Sequence, residues 1–181
     1  MAENNIYFLS IDAFTSCTGL SVLSMNFDNK FTVHYKTSCI SKNIKNAPSF
    51  SKIADMYSMF SYVMSDLILK NYNISFAVFE DYSFGSPGRI SMLAELCGLF
   101  KHFLFLQKIP FDRIPPARVK LLVAGHGKAS KDDLAKSLHK YVSNIEEIKF
   151  NNYDESDSVA IGIAYSILMM EHINESSKSA R

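Results

Sequence analysis

Cysteine is scarce and unpatterned in these 181 residues. Cys17, Cys39 and Cys97 are an odd number at no metal-ligand spacing, which argues against a disulfide framework and against a zinc site. They are expected to be reduced and buried as small apolar side chains. No apolar run reaches the roughly 20 residues that cross a bilayer, so no membrane partner is expected. The opening MAENNIYFLSID lacks a basic segment and a small-residue cleavage site, and its apolar residues read as a strand; a cytoplasmic protein is expected. Repeats, low-complexity stretches and linkers are absent too. The expected organisation is therefore one domain over residues 1–173 and a polar, frayed tail over 174–181. Neither sign of charge dominates, with 19 Lys and Arg against 18 Asp and Glu, so net charge alone does not point to a polyanionic partner.

What is present is a globular composition, 48% hydrophobic, in a chain long enough to bury a core. Tyr7–Ala13, Gly19–Met25 and Phe31–Thr37 read as three strands joined by short connections, hence antiparallel neighbours, with Asp28-Asn29 at the second turn. After a polar loop over Ser41–Phe50, apolar residues at helical spacing (Ile53, Met56, Phe60, Met64, Leu67) predict a helix over Phe50–Tyr72. Ile74–Glu80 is a fourth strand. Ile90–Gln107 is a helix apolar on nearly every side, either a central core helix or one facing both the sheet and a partner subunit. A short strand ending at Ile114 is stopped by Pro115 and Pro116. Short helices over Arg118–Val123 and from Lys131 to about Val142 flank a Gly125-His126-Gly127 turn. A last helix starts near Asp154. This order is that of an α/β fold: a mixed sheet with helices on its faces, the fourth and fifth strands lying beyond the first and parallel to it by right-handed crossover.

Two predicted strands end on acids, Asp12 and Glu80, which the crossover sets at neighbouring carboxyl ends, where open α/β sheets carry their sites. Asp154 and Asp157 stand three apart on one helix face. Each has a structural alternative. Asp12 could begin a turn, Glu80 could pair with Arg89 or a lysine, and Asp154 could cap the helix with Asp157 in its first turn. Four converging carboxylates, however, repel and raise one another's pKa unless cations compensate them. Hard oxygen donors without His or Cys favour magnesium or manganese over zinc. Such ions suit an in-line displacement at phosphorus. Between Lys108 and Lys140 the basic residues, among them Arg118, Lys120, Lys128, Lys131 and Lys136, outweigh Asp112, Asp132 and Asp133, as an anionic partner would require; a solvated face is the competing account.

The blocks Asp12…Thr18-Gly19, FEDYSF with Glu80, IPPARVKLLVAGHGKASK and DESDSVAIGIAYSI occur in the order and spacing of RuvC-type Holliday-junction resolvases. The sequence resembles that family, within the RNase H-like (retroviral integrase) superfamily. The third block is the most specific. The sequence departs from the family at Ala13-Phe14, where the family has Pro-Gly, and at Glu155-Ser156, where the family has small apolar residues. These differences suggest a distant branch, and for a viral one the compartment would be that of the host's DNA. The resemblance implies an RNase H-like five-stranded sheet with helices on both faces. It also implies four metal ligands (Asp12, Glu80, Asp154, Asp157), two ions per site, and Lys120 and Lys131 serving the scissile phosphate. The implied protein is a homodimeric, magnesium-dependent endodeoxyribonuclease, with manganese as a substitute. It would nick two opposed strands of a four-way junction, leaving 5′-phosphate and 3′-hydroxyl ends.

The family uses an aromatic after the second acid to stack on a splayed base, so Tyr82 and Phe84 are candidates, with Phe84 favoured. His126, Lys128, Arg118 and Lys136 are candidate DNA contacts, and the amide ends of the helix opened by Lys131 would attract phosphate. Thr18 and Gly19 read as turn chemistry. Rival readings are another RNase H-like nuclease acting on hybrids or flaps, a nucleotide-dependent phosphotransferase, and a branched-DNA-binding module that does not cut.

Overall fold

The computed structural model describes residues 6–26, 28–41, 49–81 and 87–179. Strand β1 (Tyr7–Asp12) lies at the centre of a five-stranded sheet of order β3-β2-β1-β4-β5. On one side it pairs antiparallel with β2 (Cys17–Met25), which pairs antiparallel with β3 (Phe31–Ile40). On the other it pairs parallel with β4 (Ile74–Glu80), followed by β5 (Phe111–Ile114). This is the RNase H-like mixed sheet expected, with β4 and β5 beyond β1 and parallel to it.

Each face of the sheet has its own core. Leu9, Ile11, Ala77 and Phe79 point to helices α1 (Ser49–Leu69) and α2 (Pro87–Leu106), where Phe60 stacks on Phe100 with ring centres 4.1 Å apart. Phe8 and Val78 point to the opposite face, under α3 (Pro116–Ala124), α4 (Lys131–Ser137) and the long α5 (Tyr153–Ser179). Because side chains alternate along a strand, Ser10 and Asp12 share the face of Phe8, and Glu80 shares that of Val78. Pairing of β1 with β4 ends at Ile11 and Phe79. The next residue on each strand is Asp12 or Glu80, so both acids lie at one sheet edge, on the side that α5 covers.

Helix α5 crosses the sheet very close to the backbone. A Cβ on Gly19, which pairs with Asp12, would come within 2.0 Å of the Asp154 carbonyl oxygen. Gly19 therefore belongs to β2 and is not turn chemistry; only a residue without a side chain lets the start of α5 settle beside Asp12. Thr18 does serve the turn, since its hydroxyl donates to the Phe14 carbonyl at 2.9 Å and accepts from the Phe14 amide at 3.2 Å.

Several boundaries differ from the sequence expectation. Strands β2 and β3 are longer, running from Cys17 and on to Ile40, because their edges continue to pair where composition alone reads as turn. Pro116 does more than stop β5: it occupies the first turn of α3, where a missing N–H costs nothing. Helix α4 ends at Ser137 in a 3₁₀ turn over Leu138–Lys140, which lets Val142 bridge to Phe31. The segment after Ile173 is helical as far as Ser179 although its side chains are exposed through residue 177, so backbone continuity outruns the apolar pattern.

Candidate active site

Asn152 caps α5: its side-chain oxygen accepts from the Glu155 amide at 3.1 Å. The capping alternative for Asp154 thereby falls away, and both Asp154 and Asp157 are left to face the end of β1. Asp157 receives the Lys131 ammonium at 2.7 Å. Lys131 is placed there by a reciprocal capping box at the start of α4, in which the Ser130 hydroxyl accepts from the Asp133 amide and the Asp133 carboxylate accepts from the Ser130 amide. That box occupies the Ser130 and Asp133 amides and sets a carboxylate beside the amide ends expected to attract phosphate, to which Lys131 adds a positive charge.

The four acids act on one another electrostatically. Burial, then the charges of Asp157 and Asp154, push Asp12 up to about 7 against the pull of Lys131. Burial, then Asp12 and Asp157, push Glu80 up to about 8, while Lys131 and Lys120 draw it down. Asp157 is likewise raised by burial, opposed by Lys131. Partial burial works against the charge on Lys131, but Asp157, Asp12 and Asp154 together raise its pKa. All six residues expected to carry the chemistry (Asp12, Glu80, Lys120, Lys131, Asp154 and Asp157) are thus brought into one electrostatic unit.

This donor set fits hard divalent cations. Its donors are all carboxylate oxygens at the inner positions, and one of them, Asp157 Oδ1, is buried without a hydrogen-bond partner. Among the described residues no three acidic, histidine or cysteine side chains form a ready-made cage; instead the Lys131 ammonium lies against Asp157, a cation where the acids need one.

Other candidates lie further out. His126, Lys128 and Lys136 are exposed on the loop before α4 and on α4 itself. Arg118 turns away, pairing with Glu171 at 3.3 Å. Glu171 lies 17 residues beyond Asp154, about 25 Å along α5, so Arg118 is not brought to the carboxylates. Tyr82 and Phe84 lie outside the described residues, as does the side chain of Arg89.

Sequence reasoning missed three features. Tyr153, half-exposed, donates its hydroxyl to Asp132, and Lys131 Nζ lies 5.8 Å from the centre of its ring. The Cys17 thiol lies near Asp154; burial, then that carboxylate, push it up to about 12. Glu155, 2% exposed, accepts from Lys36 Nζ at 2.5 Å and from the amide and side-chain nitrogens of Asn151, each at 2.9 Å. Burial alone would raise Glu155, but these bonds hold it below the usual carboxylate range. None of the three had a local signal, unlike the Asn152 cap, an Asn three residues before a Glu.

The crowding predicts how the metal-free protein responds to pH. Unfolded, Asp12 and Glu80 ionise near 3.8 and 4.5; folded, they hold their protons up to about 7 and about 8. Stability is therefore lost progressively as the pH rises through that window. In chelator the melting temperature should be several degrees lower at about pH 8 than at about pH 5.5, and excess magnesium should recover most of the difference. Equal melting temperatures in chelator at both pH values would refute the crowding.

Fold and site together define an RNase H-like α/β domain carrying a carboxylate cluster flanked by two lysines. In particular it is similar to RuvC proteins in fold and, over part of its length, in sequence. The chain is 30% identical over 102 residues to the crossover junction endodeoxyribonuclease RuvC of Wolinella succinogenes, covering 56% of this chain and 62% of that one. It is 31% identical over 108 residues to RuvC of Brachyspira hyodysenteriae, covering 59% and 64%. The match thus spans less than two thirds of either relative's length. The structure of Thermus thermophilus RuvC superposes with a TM-score of 0.73 at 15% identity, over 92% of this chain and 97% of that one. The same protein in complex with a Holliday junction substrate gives 0.72 at 17% identity, over 89% and 93%. No protein-family model matches the chain. No helix among the described residues is long and apolar enough to cross a membrane.

Proposed function

We propose that this chain is a divalent-metal-dependent endonuclease that resolves four-way DNA junctions by paired nicks. The observation that carries the reading is the convergence of Asp12, Glu80, Asp154 and Asp157 at the end of β1, with one inner carboxylate oxygen unpartnered and two lysines alongside. The four carboxylates would hold two magnesium ions, with manganese as a substitute. When bound, these ions supply charge neutralisation and water activation for in-line displacement at phosphorus. The chain's own residues do the rest. Asp12 and Glu80 are fixed by the strand ends, Asp154 and Asp157 by the first turn of α5. Lys131 and Lys120 bring positive charge to a phosphate as negative charge builds on its oxygens, and the 3′-oxygen leaves as hydroxyl, giving a 5′-phosphate. His126, Lys128 and Lys136, exposed on α4 and the loop before it, would follow the strand beside the site.

Cutting two strands symmetrically needs two sites held apart, and α2 offers a surface for a second copy. Leu99, Phe105 and Leu106 are exposed on it, and Gly98 has open space above it. We read residues 1–173 as one nuclease domain contributing one such site, with residues 174–181 as a polar tail.

The test is incubation of the purified protein with a synthetic four-way junction, the matched duplex and an RNA–DNA hybrid, each with magnesium and with chelator. The junction alone should be nicked, at paired positions and only with metal. Binding should weaken steeply as salt rises, because backbone contacts release counterions. Preferential cutting of the hybrid would point instead to a ribonuclease H activity, and metal-independent nicking would remove the carboxylates from the mechanism.

A further inference from the structure

The turn that follows Asp12 carries a half-exposed aromatic side chain. Phe14 is 49% exposed, although its backbone is pinned on both sides by the Thr18 hydroxyl. A side chain presented on so fixed a backbone loses little freedom when it binds something. Phe14 forms one wall of an open groove of about 570 Å³. Its lining also includes Thr15 and Ser16 of the same turn, Ile40 at the end of β3, Lys52 of α1, and Met92 and Leu93 of α2. Ile40 is itself 61% exposed, so two large apolar side chains of the lining are open to solvent.

Position decides what the groove can take. Phe14 is two residues from Asp12, at most about 7 Å along the chain, so the groove lies at the same sheet edge as the carboxylates, on the side of α1 and α2. The lining combines one π face, apolar flanks, hydroxyl groups at the rim and a single ammonium. That is the chemistry of a nucleobase with its neighbouring phosphate: stacking on an aromatic, hydrogen bonds to a base edge, and a cation for the backbone. A base within a continuous duplex is already stacked on both sides and cannot enter. A base where a strand leaves its helix, as at a branch point, is free to do so.

We propose that this groove holds an unstacked base of the nucleotide next to the cleaved phosphate, stacked on Phe14, and that Phe14 thereby favours branched over continuous DNA. The inference rests on the nuclease reading above. It concerns a residue pair, Ala13-Phe14, at which this chain departs from the RuvC pattern it otherwise resembles.

The test couples the side chain to the base. Affinity for a synthetic four-way junction is measured in chelator, so that the strands stay intact. The wild type, Phe14→Ala and Phe14→Leu are compared on the complete junction and on junctions lacking, in turn, the base of each nucleotide flanking the cleavage position. On the complete junction both substitutions should weaken binding by roughly 5- to 150-fold, the range for loss of one base–aromatic stack. On the junction lacking the contacted base the same substitutions should change binding less than about twofold. Phe14→Leu keeps the apolar bulk, so a merely structural role would spare it while affecting Phe14→Ala. Equal losses on every junction, no loss on any, or a loss confined to Phe14→Ala would overturn the proposal. So would a change in self-association with no such coupling, which would assign the groove to a second copy. Normal metal-dependent junction cleavage without the coupling overturns this proposal alone; failure of the wild type to bind or cut the junction overturns both readings.

Discussion

Replacement of Asp12 by Asn should abolish strand cleavage and at the same time raise the melting temperature of the metal-free protein. The two effects have one cause. Asp12 is pushed up to about 7 because it is buried and faces Asp157 and Asp154. A neutral amide of the same shape removes that repulsion, so the metal-free fold gains stability. Without the carboxylate, the cluster loses a hard oxygen donor and holds cations poorly, and the rate should fall on the order of 10³-fold or more. Glu80→Gln should behave in the same way, since Glu80 is raised to about 8 by burial and by Asp12 and Asp157. Junction binding should persist in both, because Lys120, Lys131 and the exposed basic residues are untouched. Single-turnover cleavage and thermal melting in chelator check the pair of effects. Full activity in either variant would remove that residue from the site. A sharp loss of melting temperature would show it to be part of the architecture instead.

Replacement of Lys36 by Met should be among the most damaging single changes away from the carboxylates. Lys36 on β3 and Glu155 on α5 are 17% and 3% exposed and meet at 2.5 Å. Removing the lysine strands a buried carboxylate with only Asn151 to solvate it, and breaking one side of such a pair typically costs about 3–5 kcal/mol. In a domain of this size that is a melting-temperature loss of roughly 10 °C. Combining Lys36→Met with Glu155→Gln removes the orphaned charge and should recover a large part of the loss; that recovery separates an unpaired charge from mere loss of the lysine stem. The damage should also reach the site. The Lys36–Glu155 bond, with the Asn152 side chain donating to the Ser38 hydroxyl at 2.8 Å, ties the first turn of α5 to β3. That turn carries Asp154 and Asp157, so manganese affinity should fall together with stability. A cost below about 1 kcal/mol, or a double variant no more stable than the single, would refute this account.

The acids at the strand ends were legible because the signal is local. An apolar run that stops on a carboxylate reads the same in the sequence of β1 as in the sequence of β4. The start of α4 at Lys131 was legible for the same reason, since the Gly125-His126-Gly127 turn comes just before it. The tail and the ends of β2 and β3 were misjudged because composition there is polar while hydrogen bonding continues. The role of Gly19 was hidden: nothing near it in the sequence signals that an α5 carbonyl will lie on it. Tyr153 and the Lys36–Glu155 pair were hidden too, the latter joining residues 119 positions apart.

By itself the sequence determined which side chains could share a face. Two-residue alternation puts Ser10 with Asp12 and Val78 with Glu80, and three-residue spacing on a helix puts Asp154 with Asp157. Only the tertiary structure decided who meets whom: α5 settling on Gly19, Lys131 reaching Asp157, Arg118 drawn off to Glu171, Glu155 claimed by Lys36. Periodicity is written into each segment by backbone geometry, whereas partnership depends on how separately formed elements pack. A short stretch of chain contains no record of the surface it will be pressed against.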